Sequence, residues 1–60
     1  MTAYFRSLKD KTYRRFENVQ MMKLGSEDID GERTKVIYVT MRNETVTLNQ
    51  QEYQLEMVHT

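Results

Sequence analysis

The segment KVIYVTMRNETVTL, residues 35–48, carries the clearest structural signal in the chain. Its first eight residues are rich in β-branched and aromatic side chains, which favour strands. Asn43 and Glu44 interrupt this pattern, and TVTL at residues 45–48 resumes it. The segment therefore predicts a β-hairpin with its turn at Asn43 and Glu44.

The large aliphatic residues of this hairpin predict its register. With a turn at residues 43–44, Met41 lies opposite Val46 and Val39 lies opposite Leu48, with Ile37 further along the same face. A shift of one residue would move every side chain to the other face of the sheet. Because this pairing gathers the aliphatic side chains on one side, we expect that side to face the core.

Val36 and Tyr38 fall on the opposite face of the first strand. A strand that is apolar on both faces needs cover on both sides, and a tyrosine beside a valine on a sheet surface suits a protein contact. We therefore predict that Val36 and Tyr38 contact a partner protein. The alternative is that the N-terminal segment of the same chain covers them.

Two segments flank the hairpin. Residues 53–57, YQLEM, alternate apolar and polar side chains, which indicates a half-buried strand after a short polar turn at residues 49–52. Residues 26–33, SEDIDGER, contain an Asp-Gly dipeptide and most of the acidic charge. This composition predicts a solvated loop before the hairpin.

The N-terminal part of the chain, residues 2–24, supports two interpretations. As β structure it forms a strand near Thr2–Leu8, a turn at residues 9–11 and a long strand from Thr12 to Leu24, with a bulge near residues 17–18. As α structure it forms one helix over about residues 8–24, with Ser7 as the N-cap and Gly25 as the C-terminal stop.

We favour the β interpretation and predict a mainly β fold, a small five-stranded antiparallel SH3-like barrel or meander. A barrel removes edge strands, which are an aggregation hazard in a small β protein. The 60 residues form a single domain. The alternative is an α+β fold in which one helix, about residues 8–24, packs on a three-stranded antiparallel sheet.

The residue types present do not suit catalysis or a bound cofactor. The chain has no cysteine and one histidine, His59, so it offers neither the common nucleophile–base pairs nor a zinc ligand set. Gly25 and Gly31 are the only glycines, which is too few for a phosphate-binding loop. A calcium loop counted from Asp28 would place Val39 at the glutamate position. We therefore predict a protein that is not an enzyme and uses no cofactor or metal.

Charge is distributed unevenly along a chain whose net charge is zero. Residues 1–24 carry a net charge of +4 and residues 25–60 carry −4. Opposite charges of this kind can meet across an interface, and a symmetric dimer is the commonest assembly. We therefore expect a small non-catalytic interaction module, homo-oligomeric and binding another protein. No apolar run approaches the roughly 20 residues of a membrane span, so we expect a cytoplasmic protein.

The alternative function is nucleic-acid binding. Aromatic side chains interleaved with Lys and Arg are typical of surfaces that bind single strands, and small barrels often carry such surfaces. The N-terminal residues that would form this surface are Tyr4, Arg6, Lys9, Lys11, Tyr13, Arg14 and Arg15.

Overall fold

The computed structural model describes all 60 residues and contains six β-strands and no helix. The strands are β1 (Thr2–Ser7), β2 (Tyr13–Phe16), β3 (Val19–Ile29), β4 (Glu32–Met41), β5 (Thr45–Asn49) and β6 (Tyr53–His59). They form two antiparallel three-stranded sheets, sheet A in the order β2-β1-β6 and sheet B in the order β3-β4-β5. The mainly β class is confirmed. The helix over residues 8–24 is wrong, and the five-stranded barrel is replaced by six strands in two sheets.

The predicted long strand over residues 12–24 is divided into β2 and β3, which belong to different sheets. The break lies at Glu17 and Asn18, where a bulge was expected. Asn18 adopts a φ of 57°, a left-handed conformation that asparagine tolerates better than most residues. The chain therefore turns out of sheet A at Asn18 and enters sheet B at Val19, which is buried.

Backbone hydrogen bonds join the two sheets at this corner. The amide of Val19 donates to the carbonyl of Met1 at 2.7 Å, and the N-terminal amine of Met1 donates to the carbonyl of Val19 at 3.1 Å. This reciprocal pair connects the start of β1 to the start of β3. It fixes how the inner faces of the two sheets meet.

The predicted loop over residues 26–33 is wrong, because β3 and β4 continue through it as a long hairpin. Ile29 pairs with Glu32, and only Asp30 and Gly31 lie between them. Their φ angles are 51° and 81°, and two successive positive values are what a type I′ turn requires. The Asp-Gly dipeptide is among the preferred sequences for this turn because its twist matches that of the flanking strands.

The hairpin of β4 and β5 forms, but its register differs by two residues from the predicted one. Val39 pairs with Val46 rather than Leu48, and the amide of Met41 donates to the carbonyl of Glu44 at 2.8 Å inside a four-residue connection. A two-residue turn would need a positive φ at residue 44, which glutamate disfavours. Because the shift is even, each side chain keeps its predicted face.

The core lies between the inner faces of the two sheets. It consists of six buried side chains, Ala3, Phe5, Phe16, Val19, Val39 and Leu48. The rings of Phe5 and Phe16 meet edge to face with centroids 5.8 Å apart, an arrangement that adds to the stabilisation from burial. Only nine of the 60 residues are buried, so most apolar surface outside this cluster remains accessible.

Candidate functional site

The β3–β4 hairpin extends beyond the edge of sheet A. Strands β3 and β4 have 11 and 10 residues, whereas the strands of sheet A have four to seven. Leu24 lies opposite Ile37 on the face that points towards the core, yet 70% of its surface is exposed. Sheet A therefore covers the inner face of the β3–β4 hairpin as far as Ile37. The rest of that inner face, towards the turn of the hairpin, is open to solvent.

An apolar groove of about 370 Å³ lies where sheet A ends. Its lining residues are Leu8, Ile37, Gln50, Tyr53, Gln54 and Leu55. Gln50 also borders a neighbouring depression lined by Leu24, Gly25, Ser26 and Lys35. Leu8 and Leu55 are exposed over 43% and 40% of their surface. We use the name apolar groove for this surface, from Leu8 and Leu55 across Ile37 to Leu24.

Backbone and side-chain hydrogen bonds hold the floor of the apolar groove in place. The amide of Gln50 donates to the carbonyl of Lys35 at 3.0 Å, and the Nε2 of Gln50 donates to the carbonyl of Val36 at 3.0 Å. These bonds fix the β5–β6 connection against β4. The groove is therefore formed without a partner and needs little ordering when something binds, which favours affinity.

The outer face of sheet A carries four residues of the predicted nucleic-acid surface. Tyr4 pairs with Arg15, and Arg6 pairs with Tyr13. Since side chains alternate between the faces of a strand, all four point away from the core, in which Phe5 and Phe16 lie. We call this surface the tyrosine–arginine face. Each tyrosine has one arginine across from it and another along its own strand.

The remaining basic residues of the predicted surface lie elsewhere. Lys9 and Lys11 are exposed in the turn between β1 and β2, beside the end of the tyrosine–arginine face. Arg14 points to the inner side of sheet A, where its guanidinium carbon lies 5.0 Å from the centre of the Phe16 ring and 5.7 Å from that of Tyr53. Placing Arg14 on the same binding surface as Tyr13 is therefore wrong, because neighbouring residues of a strand face opposite ways.

The turn that carries the two lysines is well ordered by local hydrogen bonds. The carboxylate of Asp10 accepts from the hydroxyl of Thr12 at 2.7 Å and from its amide at 3.1 Å. These bonds, led by the one from the Thr12 hydroxyl, lower the pKa of Asp10. The amide of Ser7 donates to the carbonyl of Thr12 at 2.8 Å and closes the turn.

Val36 and Tyr38 share a face opposite to the core, as predicted, but they are not a free contact surface. Val36 has no exposed surface, so the prediction that it contacts a partner is wrong. Gly25 lies opposite Val36, and a Cβ at Gly25 would come within 2.4 Å of the Tyr38 ring. The aromatic ring covers the glycine of an edge strand, a known means of protecting such a site.

The hydroxyl of Tyr38 holds its ring in this position. It donates to the carboxylate of Glu27 at 2.6 Å. This hydrogen bond is the main reason that the pKa of Tyr38 is raised, because ionisation would remove the donor and place two negative charges together. Tyr38 therefore has a structural role within sheet B, because its ring covers Gly25 and its hydroxyl is bonded to Glu27.

Sequence reasoning missed the residues of the apolar groove. Leu8, Leu24 and Leu55 come from three separate parts of the chain, and no single periodic pattern links them. The Asp-Gly signal at residues 30–31 could have indicated Leu24, because a hairpin through that turn extends β3 past the sheet that covers it.

His59, the single histidine, lies beside a polar depression bordered also by Met1, Thr2, Tyr4, Asn18 and Thr60. No three His, Cys, Asp or Glu side chains come together as a potential metal site. The structure contains no helix of the length and apolarity needed to cross a bilayer. Comparison of the chain with protein families, curated proteins and solved structures yields no match.

Proposed function

We propose that this chain is a small non-catalytic interaction module that binds protein through the apolar groove, and that its partner there is a second copy of itself. The observation that supports this function best is the 70% exposure of Leu24, opposite Ile37, in a depression that Gln50 separates from the groove lined by Leu8 and Leu55. Contiguous exposed apolar surface with a polar rim is typical of protein interaction sites.

Charge favours a second copy as the partner. The β1–β2 hairpin, residues 6–15, carries five cationic side chains and one acidic one, and we call it the basic hairpin. The end of the β3–β4 hairpin, residues 27–33, carries four acidic side chains and one cationic one, and we call it the acidic tip. Folding thus concentrates opposite charges in two separate hairpins of one molecule.

The apolar groove lies between these two hairpins. Leu8 belongs to the turn of the basic hairpin, and Leu24 belongs to the strand that leads to the acidic tip. A two-fold axis through the groove would bring the acidic tip of each copy to the basic hairpin of the other. Such an isologous interface repeats each favourable contact twice, and the charges fix the orientation of the two copies.

Sedimentation equilibrium at tens of micromolar tests this proposal. We expect a dimer mass for the natural chain and a weaker dimer at high salt, since salt screens exposed charges. Leu24→Ser should give a monomer. Met21→Ser is the matched control, because Met21 is 53% exposed on the same strand but points to the outer face of sheet B. A monomer mass for the natural chain, or equal weakening by both variants, would contradict the proposal.

A further inference from the structure

We infer that the tyrosine–arginine face is a second binding site, which takes single-stranded nucleic acid. It lies on the outer side of sheet A, whereas the apolar groove opens on the inner side. Tyr4 and Tyr13 lie outside the apolar groove, whereas the cations of the face belong to the basic hairpin that the proposed dimer pairs with the acidic tip. Tyr13→Ala therefore tests this site, and Leu24→Ser tests the apolar groove separately. The inference rests on four side chains that the β1–β2 register places together, Tyr4, Arg6, Tyr13 and Arg15.

The alternation of aromatic and cationic side chains on this face matches the alternation of bases and phosphates in a single-stranded nucleic acid. Side chains directly opposite on neighbouring strands have Cβ atoms about 4.5–5.5 Å apart, and diagonal neighbours lie about 7–8 Å apart. The two tyrosines occupy one diagonal of the arrangement and the two arginines occupy the other. Unpaired bases can stack on the tyrosine rings while phosphates meet the guanidinium groups between them.

The aromatic surfaces are accessible. Tyr13 is exposed over 59% of its surface, and Tyr4 is partly exposed in the central strand. Met57 pairs with Tyr4 from the other side and is 47% exposed, which extends the apolar surface to a third strand. Stacking needs the face of an unpaired base, so this aromatic surface favours single strands over duplexes.

The cations of this face are available to phosphate. Arg15 donates to the carboxylate of Glu17, and both side chains are mostly exposed. Arg6 is less accessible, because its Nε is buried without a hydrogen-bond partner, 3.8 Å from the carboxylate of Glu56, and about a third of each side chain of this pair is exposed. The Arg15–Glu17 pair is exposed, and exposed pairs stabilise a fold very little. A phosphate oxygen can therefore replace the carboxylate of Glu17.

Lys9 and Lys11 add two charges at the end of the face. With both arginines this makes four cations, and neutralising four phosphates of a single strand gives a log–log salt slope of about −2.8. Binding should accordingly weaken about 50-fold between 50 and 200 mM salt.

Fluorescence anisotropy with labelled oligo(dT) and oligo(rU) of about twelve nucleotides, a length within single-strand site sizes, tests the inference. We expect saturable binding with a Kd of about 10⁻⁶ to 10⁻⁴ M. Tyr13→Ala should weaken it at least about fivefold, because each stacked base contributes that much or more. Tyr13→Phe, which keeps the ring, should bind within about twofold of the natural chain, since stacking uses the ring face.

Two controls separate stacking from simple charge attraction. Arg15→Gln should weaken binding and reduce the salt slope, whereas Arg42→Gln, an exposed arginine in the β4–β5 connection, should not. An oligoglutamate peptide of equal charge and a DNA duplex should both bind more weakly than the single strand. Absence of saturable binding, or equal binding of peptide and oligonucleotide with no effect of Tyr13→Ala, would overturn the inference.

Discussion

Replacement of Gly25 by alanine tests the structural role assigned to Tyr38. A Cβ at Gly25 would lie 2.4 Å from Cε2 and 3.3 Å from Cδ2 of the Tyr38 ring, so the ring has to leave its place. Its hydroxyl then loses the hydrogen bond to Glu27. Val36 is opposite Gly25 and fully buried, and we expect displacement of the neighbouring ring to expose part of it.

The lost packing and hydrogen bond lower the free energy of unfolding by more than alanine, which is more favourable than glycine in a strand, raises it. Full exposure of a buried valine costs about 1.5–3 kcal/mol, so partial exposure costs about 1 kcal/mol. Loss of the packed ring adds a similar amount, about 1 kcal/mol, while alanine in a strand is favoured over glycine by about 0.5–1 kcal/mol. We therefore expect Gly25→Ala to lower the free energy of unfolding by about 1 kcal/mol, a fall in Tm of about 4–8 °C for a domain of this size.

The effect should reverse sign when the ring is absent. In a Tyr38→Ala background the three nearest atoms that the new methyl group would meet are gone, and Gly25→Ala should raise the free energy of unfolding by about 0.5–1 kcal/mol. Urea denaturation of the four proteins of this cycle, followed by circular dichroism, measures both values. If Gly25→Ala has the same effect with and without Tyr38, the ring does not cover the glycine.

Three further predictions concern the turn, the core and pH. Gly31→Ala should destabilise the domain by about 1–2 kcal/mol in urea denaturation, because Gly31 has a φ of 81°, which alanine disfavours. A Cβ at this position meets no atom within 4 Å, so the penalty comes from the backbone conformation alone. Leu48→Ala, at a position that is 2% exposed, should cost about 2–5 kcal/mol and unfold much of the protein, as judged by circular dichroism. The folded state raises the pKa of Tyr38. The natural chain should therefore be more stable than Tyr38→Phe below the usual tyrosine pKa, and this difference in the free energy of unfolding should vanish as pH rises through the raised pKa. Urea denaturation of the natural chain and of Tyr38→Phe at a series of alkaline pH values measures this difference. A difference in the free energy of unfolding that does not change with pH would contradict the prediction.

The sequence predicts which side chains of the hairpins share a face, because the period of two is local. Val39, Val46 and Leu48 lie on the core side as expected. Tyr4 with Arg6, and Tyr13 with Arg15, are likewise two residues apart, which places each pair on one side of its strand. The β4–β5 register was not predicted correctly, because it depends on a connection whose residues 43–44 lack a strong turn signal.

The burial of Val36 and the position of the apolar groove could not be read from the sequence. Val36 is buried opposite a glycine over which the Tyr38 ring lies, a relation that appears only once β3 is paired with β4. Leu24 is exposed because one hairpin is longer than the sheet that faces it. Both depend on tertiary pairing rather than on local pattern.

Backbone amide NMR spectra recorded over a dilution series test the central claim that the apolar groove is the protein-binding surface. On dilution through the dissociation midpoint, the account predicts shifts at the groove residues Leu8, Leu24, Ile37 and Leu55, and none at Thr45 and Thr47 on the outer face of sheet B. Spectra that do not change with concentration, or shifts confined to the outer face of either sheet, would contradict it.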